Sequence, residues 1–457
     1  MMNRLGRFGR KGGDDRRARR DSPEEPVQQE RVHRYSGSAR LSPVSARQTA
    51  LANPSVFKRD AHEPDYVILV TVIALTAIGI LMVYSASAIS SYAENQNTFQ
   101  LVAPQVLAGL LGFAAMAFLM RLDYRYLRTV SVPLAVFAIF LLLVVLVPLP
   151  GPLKQLSVSH NGSSRWIHLG PLPEIHPAEI AKLGLVVYLS HWLATRGLGI
   201  RSFTKGTVPF AIIVIPFLVL IAREPDLGTA AVVVLIAFSL FFIAGANIVH
   251  LGIASLAGLG GGALMILAVG NYPLQRIQTL LNPWAEPTTS GYQTIRGLEA
   301  LSAGGLFGTG LGNSRIFVPG DVNDFIFSVI AQELGLVGGV VVIALFVAFG
   351  YAGIRTAIQA PDTFGGLMAA GITAWICFQA LINVGVVVAV VPVTGITLPF
   401  VSAGGSSLTV SLAAVGILLS ISRETVERGW ISASTDSGRG YGRTYLPGSR
   451  RRSITAD

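Results

Sequence analysis

Ten stretches of this chain are apolar over a length that matches the hydrocarbon core of a bilayer, about 17 to 25 residues each. They fall near 66–90, 104–120, 129–148, 178–195, 206–222, 227–245, 249–270, 326–350, 365–390 and 404–422. In lipid every backbone N–H and C=O must find a partner within the protein, and helices meet that demand segment by segment. The expected fold class is therefore all-α, a polytopic membrane protein of about ten transmembrane helices. Composition agrees: 51% of residues are hydrophobic and only 13% charged, with a mean hydropathy of +0.57, which excludes an ordinary water-soluble domain.

The formal charge of +10 would suggest a nucleic-acid partner if it were spread over a surface. Instead it gathers at the ends. Residues 1–64 hold 14 of the 35 Lys and Arg residues and residues 423–457 hold 7. Basic flanks beside membrane spans read as cytoplasmic retention signals and contacts to anionic lipid, so no nucleic acid is expected. The organisation that follows is a basic, disordered cytoplasmic tail over 1–64, a membrane domain over 65–423, and a second basic cytoplasmic tail over 424–457. An even number of spans puts both termini on one side. With both tails inside, the basic loops 121–128 and 195–205 and the loop holding Arg355 also fall inside. The longer outer segments, above all 271–325, are poorer in Lys and Arg for their length, as the positive-inside rule requires. The N-terminus has basic residues without an apolar stretch behind them, so a cleavable signal peptide is not expected. Glycines within spans, such as Gly258, Gly260, Gly261 and Gly262, are expected to let helices approach closely.

Charges in or beside membrane spans are functional candidates, and here they cluster on the outer side. Glu179 and Lys182 lie three apart near the start of the fourth span, so they share a helix face. They form either a local ion pair or a clamp for a phosphate or a divalent ion. Asp226, in the short turn Arg223-Glu224-Pro225-Asp226, is either a helix cap or a catalytic group. Asp324 stands where the outer segment re-enters the membrane, with Glu333 about two turns deeper. That position suits a general base, and it equally suits a carboxylate stabilised by a helix dipole, which would lower its pKa. The stretch Gly304–Arg315, GGLFGTGLGNSR, resembles a phosphate cradle but lacks the Lys-Ser or Lys-Thr of a nucleotide loop. No HExxH or Ser-His-Asp pattern points to a zinc protease or hydrolase, and the lone Cys377 permits no cysteine-based metal site.

Six colinear segments carry a resemblance: VYSASA, NGSSRWIHLGPLPEIHPAEIAKL, REPDLGTA, GYQTIRGLEALSAGGLFGTGLGNS, DFIFSVIAQELGLVGG and NVGVVVAVVPVTGITLPFVSAGGSSL. Together they resemble the SEDS family of FtsW, RodA and SpoVE over about residues 65–423. The resemblance implies a ten-helix polymerase in the bacterial cytoplasmic membrane that joins lipid II units into glycan strands, with a class B penicillin-binding protein as partner. It also implies that Asp324 is the essential loop aspartate and that Glu179, Lys182 and Asp226 occupy other important polar positions. One departure stands out: where the family commonly reads LPEAHTD, this chain has Val318-Pro319-Gly320-Asp321-Val322-Asn323-Asp324.

The chemistry asks for a base at an acceptor sugar hydroxyl and positive charge at a departing pyrophosphate. Asp324 is the candidate base. Lys182 is the first candidate for the cation, with Arg165, Arg223, Arg296 and Arg315 on the same side. Glu179 would orient Lys182 or help to hold a divalent cation, magnesium or manganese, whose identity and need the sequence leaves open. Two other classes compete: a lipid II flippase or transporter, whose charges would line a route across the membrane, and a scaffold of the division or elongation complex, in which Asp324 would be dispensable.

Overall fold

The computed structural model describes residues 63–95, 99, 101–147, 157–160, 163–168, 174–269, 271–320 and 322–425. The two basic tails, apart from their innermost residues, lie outside the described residues. Twelve helices are described: α1 (Tyr66–Asn95), α2 (Val102–Arg121), α3 (Tyr126–Leu146), α4 (Pro177–Arg196), α5 (Val208–Arg223), α6 (Leu227–Ile243), α7 (Ile248–Val269), α8 (Asn271–Leu281), α9 (Tyr292–Gly304), α10 (Ile326–Gln359), α11 (Thr363–Val387) and α12 (Gly405–Ser422). Each of the ten apolar runs falls on one of these helices. Among the described residues, seven helical stretches are long and apolar enough to cross a membrane, and α6 is a shorter apolar helix.

Local chemistry explains several helix starts. Asp226 and Asp362 cap α6 and α11 by accepting from the backbone N–H groups of Thr229 (3.0 Å) and Gly365 (2.7 Å). Pro177 occupies the first turn of α4, where its missing N–H costs no hydrogen bond. A small antiparallel hairpin, β1 (Ser157–His160) and β2 (Ser163–Ile167), is the only sheet among the described residues of an otherwise helical chain.

The helices pack through small residues. In the α2–α12 pair, a Cβ built on Gly416 would stand 2.6 Å from the Met116 carbonyl oxygen and 2.8 Å from its Cα, so only glycine permits this approach. The glycines expected to serve the same purpose in α7 do not. Around Gly258, Gly260 and Gly261 a Cβ would meet nothing within 4 Å. The side chains of α7 from residue 262 onward lie outside the described residues.

The loops sort into two ends, as alternating spans require. At one end Arg125 pairs with Asp123, Asp362 and Glu424, Arg128 pairs with Asp362 at 3.0 Å, and Asp65 N–H donates to Ser422. At the other end the hairpin, the α5–α6 turn, the segment 271–325 and the segment 391–404 all meet. That segment 271–325, expected as a long loop, in fact carries two helices, α8 and α9, because amphipathic stretches flank its glycines. Helix α10 breaks at Gly335 (φ 70°, ψ −168°), a backbone conformation open to glycine.

Gly416→Leu is expected to force α2 and α12 apart, at a cost of about 3 kcal/mol, the upper end for overpacking a tight interface. Gly260→Leu, at a position with open space, is the control. Thermal unfolding in detergent checks this: the first variant should melt well below wild type and the second close to it.

Candidate active site

Two polar clusters lie at the end where the hairpin and the segments 271–325 and 391–404 meet. The first surrounds Lys182, which is 1% exposed. Its ammonium donates to Glu179 Oε1 at 2.8 Å and to Gln379 Oε1 at 2.6 Å, and it lies 5.0 Å from the centre of the Trp375 ring. The indole N–H of Trp375 donates to the same Gln379 oxygen, and the Gln379 amide donates to the Thr397 carbonyl. Glu179 Oε2 is buried without a partner. The Glu179–Lys182 pair stays on one face of α4 and is sealed against Gln379 and Trp375 of α11, with the ammonium turned away from solvent.

Nearby, Asp226 caps α6 and also accepts from the Thr229 hydroxyl at 2.8 Å, and its carboxylate lies 3.8 Å from His176 Nε2. Burial lowers the His176 pKa, outweighing the opposing pull of Asp226 and Glu179. Arg165, on β2, donates to the carbonyls of Glu224 (2.9 Å) and Pro225 (2.7 Å), so it anchors the hairpin to the α5–α6 turn. Glu224 is 1% exposed, and neither of its carboxylate oxygens has a hydrogen-bond partner. Burial, reinforced by the charge of Asp226, pushes its pKa up to about 8.

The second cluster surrounds Asp324. Its backbone carbonyl accepts from Asn383 Nδ2 at 2.8 Å, and the same amide donates to the Ile396 carbonyl. Ser402 donates to the Asn323 carbonyl, and Ala403 N–H donates to the Val322 carbonyl at 2.7 Å. The turn carrying Asp324 is thus tied down by α11 and by the segment before α12. The helix dipole does not decide its carboxyl: although half-buried by surface exposure, the group is crowded by protein atoms, and burial pushes its pKa up to about 6 against a hydrogen bond from Gln293 and the charge of Arg276. Gln293 and Arg276 both line a polar cavity of about 320 Å³, with Gln275, Thr279, Ser290 and the segment Val391–Val393. Arg276 also donates to the Val393 carbonyl.

The two clusters adjoin through α11. Gln379 and Asn383 stand one turn apart, about 6 Å along the helix, one holding Lys182 and the other Asp324. The structure thus brings together Glu179, Lys182, Asp226 and Arg165 in one cluster and Asp324 beside it. It does not bring in the other arginines. Arg296 pairs with Glu299 at 2.8 Å, and Arg223 and Arg315 are exposed; among the described residues no hydrogen bond or ion pair joins these three to Asp324 or Lys182. The cation facing Asp324 is Arg276, which sequence reasoning missed, as it missed Gln293, Gln379 and Asn383. The two amides lie within an apolar run, a signal by itself. Among the described residues, no group of three His, Cys, Asp or Glu side chains is arranged to hold a metal ion.

The comparisons with known proteins agree with this architecture. Residues 65–427 match the cell cycle protein family of FtsW, RodA and SpoVE. The chain is 42% identical to stage V sporulation protein E of Bacillus subtilis over 363 residues, covering 79% of this chain and 97% of the relative. It is 37% identical to the probable peptidoglycan glycosyltransferase FtsW of Geobacter metallireducens over 370 residues, covering 80% and 96%. Among solved structures, a chain of a peptidoglycan synthase complex that coordinates polymerization and crosslinking superposes with a TM-score of 0.64 at 29% identity, covering 79% of this chain and 98% of that one. The rod shape determining protein RodA of Thermus thermophilus gives 0.59 at 28% identity, covering 80% and 98%. A match over most of the chain, at these identities, means that this multi-pass membrane protein belongs to the FtsW, RodA and SpoVE family.

Proposed function

We propose that this protein is a peptidoglycan glycosyltransferase that joins lipid II units at the outer face of the bacterial cytoplasmic membrane, with Asp324 as its base. The observation that carries the reading is a carboxyl with a pKa of about 6 beside a polar cavity lined by Arg276 and Gln293. A base of that pKa is ionised at neutral pH yet retains proton affinity, which suits general-base catalysis. Asp324 takes the proton of an acceptor sugar hydroxyl as its oxygen bonds to the anomeric carbon of the donor. The bond from that carbon to the pyrophosphate breaks, and the electron pair leaves with the lipid diphosphate.

Arg276, at the cavity wall, meets the negative charge that develops. Lys182, the first candidate for that task, is sealed between Glu179 and Gln379, so its contribution is to hold α4 and α11 in register behind the cavity. Magnesium or manganese would supply further positive charge at the diphosphate, and Glu179 Oε2 is the carboxylate atom left without a partner beside Lys182. A class B penicillin-binding protein, which cross-links the product, is the proposed partner.

A transporter would need charges through both halves of the membrane domain. Among the described residues the buried charged side chains are Glu179, Lys182, Glu224, Asp226 and Glu333. All five lie toward the end that carries the cavity, Glu333 through its bonds to Ser85 and Ser314. This one-sided distribution favours an enzyme over a transporter. A scaffold would have no need of them at all.

Asp324→Asn should reduce polymerisation of labelled lipid II by purified protein with its partner by about 10²- to 10⁴-fold; normal polymerisation by the variant would remove Asp324 from the mechanism. In the wild type the rate should fall as pH drops through about 6, where Asp324 takes up a proton, and a pH–rate profile without that limb would contradict its role as base.

Glu224 generates a separate expectation for stability. Its folded pKa of about 8 lies above the ordinary glutamate value of 4.5, so between these values the folded state holds a proton that the unfolded chain has lost. Stability contributed by that proton is complete below the lower value and is lost as pH rises to about 8. Glu224→Gln removes this dependence, so its melting temperature relative to wild type should rise across that window.

A further inference from the structure

Helix α8 has two faces. Gln275, Arg276 and Thr279 line the cavity beside Asp324, whereas Leu274, Ile277 and Leu281 project from the opposite side, Leu281 at 80% exposure. Spacings of three and four residues put these three on one stripe. Trp284, in the turn that follows, is 63% exposed. The one charged residue of the helix, Arg276, turns inward to the Val393 carbonyl.

Chain continuity decides what covers this stripe. Helix α8 begins two residues after the end of α7 (Ile248–Val269), whose side chains Ile248, Val249, Ile253 and Leu256 are exposed apolar groups. A helix that leaves an apolar membrane-length helix with a single residue between them stays within a turn or so of the membrane surface. We propose that α8 lies in the lipid interface, with Leu274, Ile277, Leu281 and Trp284 immersed in the outer leaflet, and that it forms the wall separating the bilayer from the Asp324 cavity. An amphipathic helix of this kind buries its apolar face at the boundary of headgroups and acyl chains, and tryptophan favours that depth. The stripe carries no Lys or Arg, so immersion depends on apolar area and not on anionic lipid.

For a lipid-linked substrate, a role that rests on the function proposed above, this arrangement has a consequence. The sugar–diphosphate head enters the cavity past a wall that is itself seated in the bilayer, while the polyprenyl tail stays in lipid. A substitution that lifts the wall from the membrane therefore weakens substrate capture and leaves the base in position.

The test of immersion needs no enzymatic activity. Spin labels at Leu281→Cys, Ile277→Cys and Gln275→Cys, in full-length protein with Cys377→Ser to leave one label site, are measured in nanodiscs of neutral lipid. Labels at 277 and 281 should be relaxed more by oxygen than by a water-soluble nickel chelate, and the label at 275 more by the chelate. As a measurement without added cysteines, brominated lipid should quench the fluorescence of wild type more than that of Trp284→Phe. Chelate-accessible labels at 277 and 281 with no Trp284 quenching would overturn the proposal. So would labels immobilised only at high protein density, which would assign the stripe to a second copy, or only on adding a penicillin-binding protein, which would assign it to that partner. If immersion holds and Leu281→Glu raises the KM for lipid II at unchanged kcat, the wall acts in substrate capture; immersion without polymerase activity would instead count against the enzymatic reading alone.

Discussion

An ammonium group buried in a membrane protein must be neutralised and hydrogen-bonded where it lies, and Lys182 organises the centre of this molecule through that demand. It pairs with Glu179 on its own helix and, through its bond to Gln379, joins α4 to α11. Removing one partner of such a buried pair typically costs about 3–5 kcal/mol, because a charge is left without compensation. The Gln379 oxygen accepts from Lys182, and its amide nitrogen donates to Thr397 in the segment before α12. One turn further along α11, Asn383 repeats the pattern, with its amide shared between Ile396 and Asp324. The turn that carries Asp324 is thereby fixed in relation to the ion pair through two amides on one rigid helix.

A second constraint comes from the backbone. The break of α10 at Gly335 frees N–H and C=O groups, and in a lipid environment these must be satisfied by protein. The glycine-rich stretch after α9 supplies the partners: Leu336 and Val337 N–H donate to the carbonyls of Gly305 and Leu306, while Thr309 and Gly310 N–H donate to those of Gln332 and Glu333. The side chain of Glu333 completes the junction by accepting from Ser85 on α1 and Ser314. The glycines that resemble a phosphate cradle are therefore engaged in mending a helix. A Cβ on Gly304 or Gly308 would stand 1.9 or 2.1 Å from a backbone carbonyl oxygen of α10, which ties these glycines to that close approach, whereas Gly312 N–H donates to Ser85 on α1.

What could be read from the sequence was what depends on local pattern. Length and apolarity marked the ten longest helices among the described residues, the alternation of charge sorted the loops, and a cap was one of the two readings open for Asp226 from its place before Leu227-Gly228-Thr229. What could not be read depends on neighbours distant in the chain. Arg276 and Gln293 meet Asp324 only once α8 and α9 fold over the cavity, and the burial that raises the Asp324 pKa is a property of that assembly. The glycines of α7 show the reverse: small residues permit a close approach, but whether a helix comes to fill the space is decided elsewhere.

Glu224 and Asp226 show how far two like residues in one turn can diverge. A carboxylate at Asp226 accepts from the Thr229 N–H and hydroxyl and sits at the positive end of the α6 dipole. Glu224 has no donor for either oxygen, and Arg165, the nearest cation, spends its hydrogen bonds on the carbonyls of the turn. Two negative charges at this spacing would repel in a medium that screens them poorly, and only one has donors to stabilise it. The proton therefore resides on Glu224 at neutral pH, which leaves the turn with a single carboxylate to balance against Arg165.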